Sequence, residues 1–367
     1  MASLSNSGHG GNVHGAARRL QRPIERLVDF SASINPLGPS PLVRRALEKT
    51  RGLLTYYPDP DCYYLRSILG RRWALSSDHI VMGNGSIELI DLLPRALGIQ
   101  HALIVGPTFS EYARAMSRSG GCSTMLYAKR SMAYRPPLDE LILRIRTEKR
   151  KAQSSVDAVV LCNPNSPTGQ VCDPGEVLVV TREAQRAGLW MIVDETFIDY
   201  CESRSVVSYL PNYQRLIVLR SFTKFYALPG LRIGYLAASS RVARRVRCAQ
   251  PPWSVNSMAL AAAEASLRDR SHAKRSLRFM ERQRRYFAMR LSELSRLVVF
   301  PSSANFLLIE LPQPYRADHI SKTLEQRGLL IRDCSTVRGL GSRIIRVAIR
   351  SKKENDRLIL ELKRLLK

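Results

Sequence analysis

Apolar runs too short to be helices punctuate the chain at 80–82, 101–106, 157–162, 189–193, 216–219 and 233–237. Stretches with helical periodicity, such as 176–187, lie between them. Continuous apolar runs suit strands covered on both faces, and parallel strands need helical crossovers to join them. The alternation therefore predicts an α/β fold, with a mostly parallel sheet sandwiched by helices. Polar, loop-forming residues follow most of these runs: G-N-G-S at 83–86, P-T-F-S-E-Y at 107–112, N-P-N-S-P-T-G at 163–169 and D-E-T-F at 194–197. In open α/β sheets ligands bind at the carboxyl ends of the strands, so these segments are expected to converge on one site.

The rhythm changes after P-P-W at 251–253. A long helical zone, 256–295, precedes short strands at 298–300, 305–311, 329–332 and 344–349 and helices at 317–328 and 353–366, without the strand–helix–strand alternation. That pattern predicts a small α+β domain. At the other end, residues 1–22 are polar and glycine-rich, with H-G-G-N at 9–12, and read as a flexible arm. An extended piece at 28–39 and a helix at 41–50 with proline in its first turn follow. The expected division is 1–45 for the arm and part of the small domain, 46–252 for a large domain, and 253–367 for the small carboxy-terminal domain.

Composition narrows the function classes. No apolar run approaches the ~20 residues of a membrane span, and the amino terminus has no charged segment followed by an apolar one, so no secretion signal is expected. The seven cysteines are scattered without a C-x-x-C pair, which fits a reducing cytoplasm and neither a disulfide framework nor a zinc site. The formal charge of +26 is abnormal. Nucleic-acid binding would explain it. The basic residues, however, are spread in short clusters without interleaved aromatics, so a solvated arginine-rich surface is the favoured reading.

One lysine stands apart. In S-F-T-K-F-Y-A-L-P-G-L-R-I-G-Y, at 221–235, Lys224 sits among apolar, small and hydroxylated residues, with Ser221 and Thr223 before it and Arg232 after it. Burial lowers an amine's pKa and makes it nucleophilic toward an aldehyde. The hydroxyls and the forked guanidinium suit a phosphate. An aldehyde carrying a phosphate describes pyridoxal 5′-phosphate, held as a Schiff base. Its pyridine nitrogen needs a buried carboxylate, for which Asp194 at a strand end fits. Its ring needs a flat apolar contact, which Phe109 can give, and donors from the 163–166 turn can reach its 3-oxygen.

Taken in order, N-G-S, P-T-F-S-E-Y, N-P-N-S-P-T-G, D-E-T-F and the lysine segment resemble the fold-type I pyridoxal-phosphate aminotransferase superfamily. Within it the chain is similar to the histidinol-phosphate aminotransferase group. It is more closely similar to the L-threonine-O-3-phosphate decarboxylases of cobalamin biosynthesis, through H-G-G-N, D-F-S-A-S-I-N-P-L-G-P, Y-P-D-P-D and I-R-V-A-I-R. The resemblance spans residues 9–350. It implies that Lys224 and Asp194 are catalytic and that Gly85, Ser86, Ser221, Thr223 and Arg232 hold the cofactor phosphate. It also implies that Tyr57 reaches that phosphate in the other subunit of a homodimer. Arg346 would grip a substrate carboxylate, and Arg332, His9 and Asn35 would meet the substrate phosphate and form the closing arm.

Two positions depart from the aminotransferase pattern. Ser166 replaces the usual asparagine before P-T-G, which passes the 3-oxygen contact to Asn165 or weakens it. Phe197 replaces a tyrosine and cannot donate, as also occurs in the decarboxylase branch. The implied reaction is decarboxylation of O-phospho-L-threonine to (R)-1-amino-2-propanol O-2-phosphate. Transamination of histidinol phosphate is the alternative, and a basic nucleic-acid-binding protein without catalysis the remote one.

Overall fold

The computed structural model describes residues 9–150, 156–294 and 296–366. The residues before His9, where a secretion signal was sought, lie outside the described residues, as do Lys151 of the basic run 149–151 and Ser295, the expected end of the helical zone.

After the short strand β1 (Val28–Asp29), a seven-stranded sheet forms from β2 (Ile80–Gly83), β3 (His101–Gly106), β4 (Cys122–Tyr127), β5 (Ala158–Cys162), β6 (Trp190–Asp194), β7 (Leu216–Ser221) and β8 (Gly234–Ala238). Its order is β2-β8-β7-β6-β5-β3-β4. Neighbours from β7 to β4 run parallel. Period-two alternation divides each inner strand between two apolar layers: Val159 and Leu161 face the layer of Val177 and Val180, and Ala158 and Val160 that of Leu89 and Leu93. Burial on both faces is why these runs read as continuous.

Two features differ from the sequence reading. The edge strand β4, C-S-T-M-L-Y, is half exposed, so its mixed polarity hid it. Strand β8 runs antiparallel to both neighbours. The 222–233 connection that carries the lysine contains no helix and cannot make a crossover.

The remaining strands are β9 (Val298–Val299), β10 (Phe306–Glu310), β11 (Leu329–Leu330), β12 (Arg332–Asp333) and β13 (Ile344–Ala348). A four-stranded antiparallel sheet, β12-β13-β10-β9, packs a second core containing Phe30, Phe287, Phe306, Ile345 and Leu358. Strand β1 pairs with β11, which ties the amino-terminal segment to this part. The helical zone is two helices, Ser257–Arg268 and Arg270–Ser292. Asp269 separates them and caps the second by accepting from His272 N at 2.9 Å. The first packs on Pro41–Thr50 and gives Ala259, Ala262 and Ala263 to the core of the large sheet.

Candidate active site

Lys224 follows β7 in the helix-free connection. Its carbonyl accepts from Asn35 N at 3.0 Å, and its Nζ lies 5.8 Å from the centroid of the Phe197 ring. Burial, with the Arg346 and Arg232 guanidiniums adding to it, pulls its pKa from 10.5 to about 8, against the opposing pull of Asp29 and Asp194. Far more of the amine is therefore unprotonated near neutral pH than in an ordinary lysine, as attack on an aldehyde requires.

Asp194 ends β6 and is buried. Its Oδ2 accepts from Tyr112 Oη at 2.7 Å and its Oδ1 from Thr196 N at 2.8 Å. Burial raises its pKa, while the hydrogen bonds from Thr196 and Tyr112 and the charge of Lys224 pull the other way. A buried carboxylate held by neutral donors is the geometry a pyridinium completes. Phe109 sits beside it, edge-on to Tyr112 with centroids 5.7 Å apart and tilted against His9 at 5.2 Å.

The residues expected to hold the cofactor phosphate come from separate segments. Gly85 caps the helix Ser86–Leu97 with φ +75°, and a Cβ there would lie 2.5 Å from Arg232 Nη2. Only glycine admits the guanidinium so close to the free N–H groups of a helix start. Arg232 itself takes φ +56°, a conformation that costs energy in a residue with a side chain. Its Nη1 donates to the Pro229 carbonyl at 3.3 Å, not to a carboxylate. Ser221 and Thr223 are buried next to the lysine, and Ser221 Oγ accepts from Thr223 N at 3.1 Å.

Arg346, on β13, enters from the small sheet. Its Nη1 donates to Ser166 Oγ at 3.0 Å and its Nη2 to the Ser31 carbonyl at 2.8 Å, while its buried Nε has no partner. Its Cζ lies 5.0 Å from the Phe306 ring centroid, and Phe306 meets Phe197 edge-on at 5.1 Å. Burial lowers its pKa to about 10, with Arg332 adding to that and Cys334 and Asp29 opposing. Arg332 is its cross-strand neighbour. The arm folds over this corner: Gly11 N donates to Ser31 Oγ at 2.8 Å, and His9 Nε2 lies 2.8 Å from Glu111 Oε1.

Some expected ligands have other work. The amide nitrogen of Asn35 donates to the Phe225 carbonyl and to Ser276 Oγ, both at 2.9 Å, and its oxygen accepts from Leu37 N. Both polar atoms of that side chain have partners within the protein, one of them on the lysine segment, so it is not a free substrate donor. The Asn165 amide likewise donates to the Pro107 carbonyl at 2.8 Å and Thr168 Oγ1 at 2.9 Å, and accepts from Thr108 Oγ1 at 2.8 Å. It braces the loop rather than pointing a spare N–H at the 3-oxygen. Tyr57 is 78% exposed and stacks on Trp253, with centroids 4.5 Å apart. Tyr112 and Ser31 were not singled out from the sequence, although both lie inside quoted motifs.

The chain belongs to the aminotransferase class I and II family, whose sequence model matches residues 25–362. Its cofactor is pyridoxal 5′-phosphate, and the fold is the fold-type I transferase. The chain is 37% identical over 366 residues to threonine-phosphate decarboxylase of Salmonella typhimurium, covering 99% of this chain and 98% of that one. The solved histidinol-phosphate aminotransferase of Clostridium acetobutylicum has a TM-score of 0.85 at 29% identity, over 93% of this chain and 99% of the other. L-threonine-O-3-phosphate decarboxylase of Porphyromonas gingivalis has 0.80 at 26%, over 92% and 98%. The residues fit the cofactor on three counts: a half-buried amine of lowered pKa, a buried carboxylate lacking a cation at hydrogen-bond distance, and a glycine cradle against a guanidinium. No helix among the described residues is long and apolar enough to cross a membrane.

Proposed function

We propose that the protein decarboxylates O-phospho-L-threonine to (R)-1-amino-2-propanol O-2-phosphate, the linker of the cobalamin nucleotide loop. The observation that carries this is Arg346. It is a cation with neutral partners and an unpartnered Nε, set against the apolar Phe306–Phe197 wall beside Lys224. A substrate carboxylate held there is stripped of water on its apolar side, and the orientation that this grip sets would decide whether it, rather than the α-hydrogen, is lost. The full-length similarity to a threonine-phosphate decarboxylase supports the same reading.

When bound, pyridoxal phosphate supplies an electron sink for the bond broken at the substrate α-carbon. Lys224 would hold the cofactor aldehyde, and its free amine could deliver a proton to the substrate α-carbon. Asp194 would keep a proton on the pyridine nitrogen, Phe109 would offer the ring a flat apolar contact, and Phe197 adds apolar surface without a donor. Gly85, Ser86, Ser221, Thr223 and Arg232 bind the cofactor phosphate. Ser166 orients Arg346, and Asn165 braces the turn that carries Ser166. Arg332 and His9 bind the substrate phosphate, and Asn35 acts through the lysine segment. Tyr57 would complete the phosphate site of a second copy. The exposed Leu53, Leu54, Tyr56, Tyr57, Tyr63 and Tyr64 support a homodimer covering that stretch.

Histidinol-phosphate aminotransferase is the second reading, favoured by the higher TM-score to such an enzyme. Incubating the protein with phosphothreonine, and separately with histidinol phosphate plus 2-oxoglutarate, separates the two. Carbon dioxide release without 2-oxoglutarate consumption is expected; glutamate formation from the second mixture alone would overturn the proposal. Lys224→Ala should abolish turnover and the visible band of the lysine-bound cofactor.

A further inference from the structure

The helix Ser240–Ala249 carries R-V-A-R-R-V-R-C between Arg241 and Cys248. Val242, Ala243 and Val246 are buried on one side. The helical spacing places Arg241, Arg244, Arg245 and Cys248 together on the exposed face. Arg95, also exposed, joins them from the last turn of Ser86–Leu97, and together they line an open groove of about 930 Å³. Arg247 forms its floor, with Nη1 donating to the carbonyls of Asp78 at 3.1 Å and Ile80 at 3.3 Å.

Parts of this basic surface are locally compensated, by pairs such as Arg118–Asp91, Arg146–Glu183 and Arg285–Glu281, but 57 Lys and Arg against 31 Asp and Glu leave much of it uncompensated. The groove gathers four such cations on one surface. Among the described residues no hydrogen bond or ion pair joins Arg95, Arg241, Arg244 or Arg245 to a partner. Asp78 is the one acid in the lining, and it lies 3.3 Å from Arg66. Like charges three and four residues apart on a helix repel, and nothing in the groove relieves them.

We infer that this groove is a second anion site that takes a compact polyphosphate, such as inorganic triphosphate or the phosphate chain of a nucleoside triphosphate. It is separate from the cofactor cradle. Helix Ser86–Leu97 begins at that cradle and reaches the groove at its far end, so its 12 residues span roughly 18 Å between the two. Forked guanidiniums suit clustered phosphate oxygens. Arg241 to Cys248 span only about 11 Å along the helix, which favours a compact anion over an extended strand. The lining contains no aromatic residue on which a base of single-stranded nucleic acid could stack.

Cys248 is exposed in the lining and reports occupancy independently of catalysis. The cofactor-loaded protein carrying Cys122→Ser, which removes the other exposed thiol, is treated with neutral iodoacetamide at constant ionic strength. Inorganic triphosphate should slow modification of Cys248 saturably, with a dissociation constant below about 1 mM. Arg241→Ser/Arg244→Ser/Arg245→Ser should weaken that protection at least about tenfold. Arg275→Ser/Arg278→Ser/Arg282→Ser, which removes equal charge from another helix, should leave it intact. Running adenosine triphosphate in parallel tells phosphate-chain recognition from added nucleoside contacts. Calorimetric titration of the unsubstituted protein gives the same constant should the triple variant not fold. The inference is overturned by absent protection, by equal loss in both triple variants, or by protection from duplex oligonucleotide alone.

Discussion

Asp194 and Glu195 are adjacent buried carboxylates at the end of one strand, yet they occupy opposite electrostatic situations. Glu195 accepts from Ser205 Oγ at 2.6 Å and Val206 N at 2.7 Å, and lies 3.3 Å from Arg220. Arg220, itself fully buried, also reaches Glu202 at 3.4 Å and Asp199 at 3.9 Å and sits over the Trp73 ring. Charges there meet opposite charges within the protein. Across the strand, Asp194 has only neutral hydrogen-bond partners, and so does Arg346. A buried charge without an internal counter-charge costs free energy unless a ligand brings one. The difference separates charges paired within the fold from those that the proposal assigns to cofactor and substrate.

The sharpest way to break this contrast is to neutralise each carboxylate. Asp194→Asn should lower turnover about 10³-fold while leaving stability unchanged or higher, since a desolvated charge is removed. Glu195→Gln removes one of Arg220's three acidic neighbours and should lower stability by about 1–3 kcal/mol, with turnover per folded molecule nearly unchanged. Chemical denaturation and single-substrate kinetics on both variants decide it; swapped outcomes would dissolve the comparison.

The two arginines give the next effect. Arg346→Gln should raise KM for phosphothreonine by about 10- to 150-fold, the worth of about 1.5–3 kcal/mol of charged hydrogen bonding. Arg220→Met should act on stability instead. The pH dependence follows from the same pocket. With its folded pKa near 8 against 10.5 in the unfolded chain, Lys224 binds fewer protons when folded between those values, so its contribution to stability rises with pH across that window. Capture of pyridoxal phosphate by the cofactor-free protein should speed up as pH rises through about 8. Arg346→Gln removes a neighbouring cation and should move that midpoint upward; an unmoved midpoint would leave burial and Arg232 as the causes.

What was legible in the sequence follows the range of the contacts involved. Strands β5, β6 and β7 are buried on both faces, and their apolar runs say so. The edge strand β4 and the direction of β8 depend on partners the local pattern does not contain. Lys224, Asp194, Gly85 and Arg232 could be read because each stands in a motif at a strand end. The meeting of Ser31, Ser166 and Arg346 could not, since it requires β1 and β13 to arrive beside the large sheet. Asn35 was read as a substrate ligand from its motif, but only the packed structure brings Phe225 and Ser276 to its amide.

Tyr112 provides the smallest and most diagnostic test, because it touches the Asp194 carboxylate without carrying charge. Its hydroxyl, pushed well above its ordinary pKa first by burial and then by Asp194, remains a donor across the accessible pH range. Tyr112→Phe keeps the ring that meets Phe109 and removes only the hydrogen bond at 2.7 Å. The carboxylate then loses about 1 kcal/mol of stabilisation, and affinity for pyridoxal phosphate should fall about fivefold. A purely structural tyrosine would change stability alone. One that holds Asp194 ionised should also shift the pH at which the visible band of the bound cofactor changes. Equilibrium dialysis paired with a spectrophotometric pH titration reads both, and an unchanged band with weakened folding would assign Tyr112 to the compensated side of the contrast.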